Sequence, residues 1–461
     1  MSSPEGRNVA ALVRWLATEI HGGTRLPGSR LPPERTLAAQ LGVHRSTVAL
    51  AYDELRALGL VRRRQGSGTY VSEDLWGLTP DWNRYLAEGG FRPTSPLLQR
   101  MREIRLSPGI VDLTQSTLGP DLWPQLPLAP LESLMPSLLG YGDPFGHPAL
   151  RRAIAAQYLR DYGLAVEPEA VLVTHGAQHA LYLVARALLR PGDAVALEHP
   201  SLYYSLALLQ SAGVRMLPLA MDADGIVPDA LAKVIERHRP AMVWLNPTYH
   251  NPTATTLSLP RRREVLDICR RWNVPVLEDD AYGNLGVDSD PPPPLKVLDE
   301  GQRVIHVSTL SKIVAPGLRI GWILAPKPLL QRLADVRGQI DIGDADLVQV
   351  LAASFLDSAA WPRHRAAVRG ALRQRRDALA AFAEARMSDD LTVTLPRGGL
   401  FAWLSWRRPD TDQARLERAA AAGVVYAPGR IYGMPDGYGR INYVTEPPPR
   451  LQQGLEALGR I

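Results

Sequence analysis

The sequence predicts two units of different class: a small, mostly helical head closed by a β-hairpin, and a large α/β body with a sheet covered by helices on both faces. Three observations predict this. Residues 1–72 hold ten Arg, no Lys and five acidic residues, whereas the rest of the chain holds 42 basic and 42 acidic groups, so the net charge of +5 lies entirely in the head. Apolar residues of the head recur at helical spacing and then give way to two short runs split by glycines. Beyond about Pro108, short apolar runs alternate with helical stretches, as in a parallel sheet. A cationic unit joined to a neutral one is expected where one part meets a polyanion and the other does not.

The 461-residue chain is 46% hydrophobic and 21% charged, enough to bury a sizeable core, which excludes a disordered or fibrous protein. No apolar run approaches the roughly 18–20 residues a membrane helix needs, so no membrane contact is expected. The opening MSSPEGRNVA lacks a signal-peptide core, and the single Cys269 cannot form an internal disulfide. A cytoplasmic protein is therefore expected. Only Lys233, Lys296, Lys312 and Lys327 stand against 48 arginines, which gives weight to a lysine inside a motif.

In the head, Val9, Leu12, Val13, Leu16 and Ile20 predict a first helix that stops near Gly22-Gly23. A second helix opens at Pro33-Glu34 and ends at Gly42. A third starts near Arg45 with Val48, Tyr52 and Leu55 in one stripe. This is helix-turn-helix grammar, and it places Arg45, Ser46 and Thr47 at the end of the helix that enters a major groove. The runs LVRRR and TYVS, separated by QGSG, predict a hairpin whose arginines, Arg63 among them, lie against the DNA backbone or minor groove.

The residues from Leu31-Pro32 through Arg35, Leu37-Ala38, Gly42-Val43, Arg45, Thr47-Val48, Tyr52 and Gly59 to Gly66, Gly68 and Tyr70-Val71 resemble the winged helix-turn-helix of the GntR family. The resemblance implies double-stranded DNA as partner, with Arg35, Arg45, Ser46, Thr47 and Gly66 on DNA-contacting positions. His44 replaces the usual Ser and is expected to cap the helix less well. The DNA-binding domain is read as 7–72. Residues 73–107, broken by Pro80, Gly89-Gly90, Pro93 and Pro96, read as a linker with one or two short helices, pinned by Trp76, Trp82 and Tyr85.

In the body, read as 108–461, the apolar runs include AVLVT, AVALEHP, AMVWLNP, VPVLEDD, RVIHVSTLSK and RIGWILAP. Ligands of such sheets bind at the carboxyl ends of strands. There the chain has acidic residues after VPVL, hydroxyls and Lys312 after RVIHV, and a glycine opening a helix after AVLVT. A cofactor with a phosphate, an aldehyde and a basic ring nitrogen uses all three, and pyridoxal 5′-phosphate is such a cofactor. Singly, each feature has an ordinary explanation, such as a surface lysine, a helix cap or an ion pair; their order and spacing carry the reading.

Y-G-D-P-x-G at 141–146, T-x-G-A-Q at 174–178, N-P-T at 251–253, E-D-D-A-Y at 278–282 and T-L-S-K followed by Arg319 resemble the fold-type I, aspartate aminotransferase-like enzymes over about 350 residues. The resemblance implies that Lys312 forms the Schiff base and Asp279 holds the pyridine nitrogen, chosen over Asp280 by its spacing to Tyr282. Tyr282 and Asn251 would meet the ring hydroxyl, and Ala177, Gln178, Thr309 and Arg319 the phosphate. Tyr141 would reach the partner subunit's cofactor, and Arg440, in RINYV, a substrate carboxylate. Two departures stand out: Ala254 replaces the glycine of N-P-T-G, and Leu202 occupies the place of the ring-stacking aromatic, leaving Tyr203 as the candidate.

A GntR-like head on such a body resembles the MocR/GabR subfamily of regulators. The resemblance implies a homodimer that binds DNA, with the cofactor and an amino compound as effectors. A working aminotransferase carrying a DNA-binding head stays open beside it.

Overall fold

The structure, a computed structural model, describes residues 4, 6–21, 24–72, 95–126, 138–341, 343, 345–386, 391–408 and 410–461. The chain divides into two compact units, Met1–Gly90 and Phe91–Ile461. Trp76, Trp82 and Tyr85 lie outside the described residues. Among those described, no helix is long and apolar enough to cross a membrane.

The head consists of α1 (Val9–His21), α2 (Glu34–Leu41), α3 (Arg45–Ala57) and the strands β1 (Val61–Arg64) and β2 (Gly68–Val71). Leu12, Leu16, Leu37, Val48, Leu55 and Val71 form its core, so the stripes read from periodicity are the faces that meet. Gly42 takes φ +62° and lets α2 turn into α3, its N–H donating to the Ala38 carbonyl. β1 and β2 pair antiparallel, with Arg64 opposite Gly68. Leu31 N–H donates to the Thr69 carbonyl, tying the chain before α2 to the hairpin.

The body is built on seven strands: β3 (Val171–Thr174), β4 (Ala194–Glu198), β5 (Arg215–Leu219), β6 (Met242–Leu245), β7 (Val276–Asp279), β8 (Val304–Thr309) and β9 (Gly321–Leu324). They lie in the order β3-β9-β8-β7-β6-β4-β5. Strand alternation sends Met242, Trp244 and Leu277 to one core layer and Val243, Leu245 and Val276 to the other, so both faces are covered. The sheet differs from the parallel one expected in a single strand: β9 runs antiparallel to both β8 and β3. Only segment 310–320 joins β8 to β9, short of the dozen or more residues a parallel crossover needs, and Leu310 N–H closes the return on the Ile320 carbonyl. The edge strand β5, RMLPL, went unread because Pro218 breaks its pattern.

A second, antiparallel sheet comprises β10 (Leu391–Thr394), β11 (Phe401–Trp406), β12 (Ala427–Pro428) and β13 (Tyr438–Asn442), in the order β10-β11-β13-β12. Within the segment read as a linker, the helix Pro96–Arg105 buries Met101 and Ile104 in the core of the body, and Arg100 pairs with Glu417 at 2.6 Å.

Candidate functional site

At the carboxyl end of the sheet, consecutive carboxylates of VLEDD are parted by the pleat. Glu278 points into a fully buried cluster, where its oxygens accept from His306 Nδ1 at 2.7 Å and from the Lys296 N–H at 3.0 Å, with Arg262 at 3.8 Å. His306 Nε2 lies 2.6 Å from the Tyr158 hydroxyl. Asp280 is buried too, and burial pushes its carboxyl up to about 6, opposed first by His306. Asp279 projects to the other side, where the Tyr203 hydroxyl donates to its Oδ2 at 3.1 Å. Among the described residues, its buried Oδ1 has no hydrogen-bond partner.

Lys312 follows β8 and shares this space with Asp279. Its Nζ donates to the Ser116 carbonyl at 2.7 Å. Burial pushes the Lys312 amine down to about 8, with Asp279 opposing the shift and Arg440 and Arg319 adding to it. Burial pushes the Asp279 carboxyl up to about 6, against the Tyr203 hydrogen bond and Lys312, with Asp280 adding to the rise.

Asn251 Nδ2 donates to the Tyr282 hydroxyl at 3.2 Å, and Asn251 Oδ1 accepts from Arg440 Nη1 at 3.0 Å. Arg440, on β13, thus reaches the same cluster from the second sheet. Its guanidinium also donates to the Thr114 carbonyl, lies 4.2 Å over the Phe401 ring, and keeps a buried Nε without a partner. The Asn251-Pro252 bond is cis and Ala254 takes φ +62°. Alanine at the usual glycine position therefore accepts a left-handed turn, at a cost of roughly 1–2 kcal/mol.

A second cluster surrounds the start of α4 (Ala177–Leu188). Gly176, at φ +79°, precedes it and no side chain caps the helix, so the amides of Ala177 and Gln178 open the first turn. Arg319 Nη2 donates to the His175 carbonyl at 2.8 Å, and its Nη1 lies 3.5 Å from Ser311 Oγ. Thr309 Oγ1 donates its one proton to the Ile320 carbonyl at 2.6 Å and lies 3.1 Å from Ser311 Oγ. A Cβ on Gly321 would lie 2.7 Å from the Ala177 nitrogen, and one on Gly176 would lie 2.8 Å from Arg319 Nη2. Both glycines are needed for the helix terminus, β9 and Arg319 to meet. The antiparallel β8–β9 return is what carries Lys312 and Arg319 to one place.

Tyr203 is buried, packed edge-on against Trp244 at 5.4 Å between centroids. Tyr141 is 84% exposed. Sequence reasoning did not single out Ser311, although it lies inside T-L-S-K. Nor did it find Asn246, whose Nδ2 donates to the Asp279 carbonyl at 2.6 Å and whose Oδ1 accepts the Asn251 N–H. The Asn of WLNP, directly after a strand, was the available signal. Thr114 and Ser116 carry no motif.

In the head, Arg35, Arg45, Ser46, Arg63 and Gly66 are exposed and Thr47 is half-buried. His44 caps α3 through a long bond: its Nδ1 accepts the Ser46 N–H at 3.4 Å and lies 2.7 Å from Ser46 Oγ. Gly66, at φ +75°, makes the hairpin turn. Arg45 pairs with Glu34 at 3.1 Å, and Arg63 lies 3.8 Å from the same carboxylate.

The family described as aminotransferase class I and II matches residues 104–458, and that of the bacterial regulatory proteins, gntR family, matches residues 9–71. The chain is similar over its whole length to an uncharacterized HTH-type transcriptional regulator, YdfD, of Bacillus subtilis, with 33% identity and 98% of that protein covered. It is 27% identical to the HTH-type transcriptional regulator NorG of Staphylococcus aureus, over 92% of this chain and 98% of that one. Among solved structures, the multiple substrate aminotransferase of Thermococcus profundus is 25% identical with a TM-score of 0.74, covering 82% of this chain and 98% of that one. The kynurenine aminotransferase of Pyrococcus horikoshii is 26% identical with a TM-score of 0.75, covering 82% and 97%. A gntR-family head on an aminotransferase-fold body is the make-up of the MocR/GabR type of transcriptional regulator, and this chain belongs to that family.

Proposed function

We propose that this regulator binds double-stranded DNA through its head and pyridoxal 5′-phosphate in its body, acting as a homodimer whose DNA binding responds to the cofactor and to an amino compound. The observation that carries the reading is the buried Oδ1 of Asp279, without a hydrogen-bond partner, in the space that also holds Lys312. A buried carboxylate oxygen without a donor is costly, and a protonated ring nitrogen is the donor it lacks.

The rest of the set fits the same group. The Ala177 and Gln178 amides, the Ser311 hydroxyl beside Thr309, and Arg319 gather hydrogen-bond donors and one positive charge at a helix N-terminus, as a phosphate requires. Tyr282 and Asn251 are placed to meet a ring hydroxyl. Lys312, its amine pushed down to about 8, keeps an appreciable neutral fraction at physiological pH, the form that attacks an aldehyde. When bound, the cofactor supplies that aldehyde and an electron-withdrawing ring. Arg440 holds Asn251 and has a spare buried donor for the carboxylate of an amino compound. Tyr141, exposed on this chain, is read as reaching a partner subunit's site. An effector acts on DNA binding only if it favours one arrangement of the dimer over another.

Borohydride reduction of protein incubated with pyridoxal phosphate, followed by peptide mass mapping, is expected to place the adduct on Lys312. A Lys312→Ala variant that retains the same covalent label would refute the cofactor reading. Rapid multiple turnover of amino donors with a keto-acid acceptor would favour the aminotransferase alternative, which the retention of Lys312, Asp279 and Arg440 keeps chemically possible.

A further inference from the structure

Among the described residues of the head, one acidic side chain lies against two of the arginines read as meeting DNA. Glu34 opens α2, is 20% exposed, and accepts from Nε of Arg45 on Oε2 at 3.1 Å, with Nη2 of the same guanidinium also 3.1 Å from that oxygen. Its other oxygen, Oε1, lies 3.8 Å from Nη2 of Arg63 on the hairpin. Arg45 is the first residue of α3, and both arginines are more than half exposed.

A guanidinium has five N–H donors in one plane. Glu34 takes the side edge of that plane, Nε and the near side of Nη2. The outer fork, formed by Nη1 and the far side of Nη2, stays available. That outer fork matches the O6 and N7 acceptors of guanine in the major groove. An unbraced arginine at a helix terminus swings toward whichever phosphate is nearest, which carries no sequence information. A carboxylate in this position also repels phosphate, so it lowers affinity for every duplex alike. A first-turn acid favours the N-terminus of α2 wherever its side chain points; facing two arginines, it fixes orientation at the expense of charge.

We propose that Glu34 is the specificity-determining residue of this head: it holds Arg45 edge-on so that the outer fork reads guanine, and it couples that arginine to Arg63 of the hairpin. The proposal rests on the DNA-binding reading and on no property of the body.

Full-length protein is offered duplexes with a randomised core, the bound sequences are read, and affinities for the resulting consensus and for a shuffled duplex are compared by fluorescence anisotropy at one salt concentration. Glu34→Gln, which keeps size and removes charge, is expected to lose the guanine preference. The consensus-to-shuffled affinity ratio should fall about tenfold, while binding to the shuffled duplex is kept or strengthened. An unchanged ratio overturns the proposal, and so does an equal weakening on both duplexes, which would make Glu34 a general brace. Should Glu34→Gln fail to fold, Glu34→Ala removes the carboxylate altogether: loss of the base preference with binding to the shuffled duplex kept supports the proposal, and a retained preference overturns it. Wild-type protein that binds neither duplex would instead overturn the DNA-binding reading beneath it.

Discussion

The Tyr203 hydroxyl donates to Oδ2 of Asp279 at 3.1 Å, and both side chains are buried. This bond satisfies one carboxylate oxygen and leaves Oδ1 as the free acceptor. It gives Tyr203 a holding role where sequence comparison offered it as a stacking ring. The two roles separate cleanly in a Tyr203→Phe variant, which keeps the ring and removes the donor. If Tyr203 holds Asp279, affinity for pyridoxal phosphate falls by about tenfold to a hundredfold, in line with roughly 1.5–3 kcal/mol for a hydrogen bond to a charged group. If it stacks, Phe leaves affinity intact. An absorbance titration of the cofactor-free protein decides between them.

Lys312 governs a pH dependence with a definite sign. Its amine is pushed down to about 8, so the neutral, reactive fraction rises with pH and levels off above that value. The rate of covalent capture of pyridoxal phosphate by cofactor-free protein should climb nearly tenfold per pH unit below about 7 and flatten beyond 8. The same shift makes the folded state hold fewer protons on this group than the unfolded state between about 8 and 10.5, so its contribution to the stability of cofactor-free protein improves as pH rises through that window. A capture rate still climbing steeply at pH 10 would show an ordinary surface-like lysine.

Behind the site, Glu278 and His306 form a fully buried pair. Burial pushes the Glu278 carboxyl up, but the His306 hydrogen bond and charge, together with Arg262, carry it below its ordinary range. His306→Ala removes the main side-chain partner of a buried carboxylate, leaving it the Leu295 and Lys296 N–H groups, and leaves the Tyr158 hydroxyl with Trp322 alone. A loss of about 3–5 kcal/mol in stability is expected, read from urea unfolding of the body. The DNA affinity of protein that remains folded should be unchanged, because the head has its own separate core. A loss below about 1 kcal/mol would mean that water or a neighbour replaces the histidine.

Much of the architecture was legible from the order of residues. The stripe Val48, Tyr52, Leu55 and the glycines at 42 and 66 define the head because helix periodicity and left-handed turns are local properties. The alternation of strands and helices, with Asp279 ending a strand and Gly176 and Lys312 within three residues of one, marked the sheet end where ligands of such sheets bind. The antiparallel hand of β9 was less visible, since connection length is decisive there and the strand's own residues say nothing about direction.

What tertiary structure alone decided concerns partners distant in sequence. Which of Asp279 and Asp280 faces Lys312 depends on pleat phase and on Tyr203, 76 positions away. Ser116 and Thr114 meet Lys312 and Arg440 from segments nearly 200 and over 300 positions away, through backbone carbonyls that leave no mark on residue type. Glu34 reads in sequence as an ordinary first-turn acid of α2, and only the packing of α2 beside α3 and the hairpin turns it into a brace for Arg45. Sequence by itself determined which chemical groups this protein carries and on which elements. Folding determined which lone pairs and N–H groups remain free to meet a ligand, because that depends on what every neighbouring segment has already satisfied.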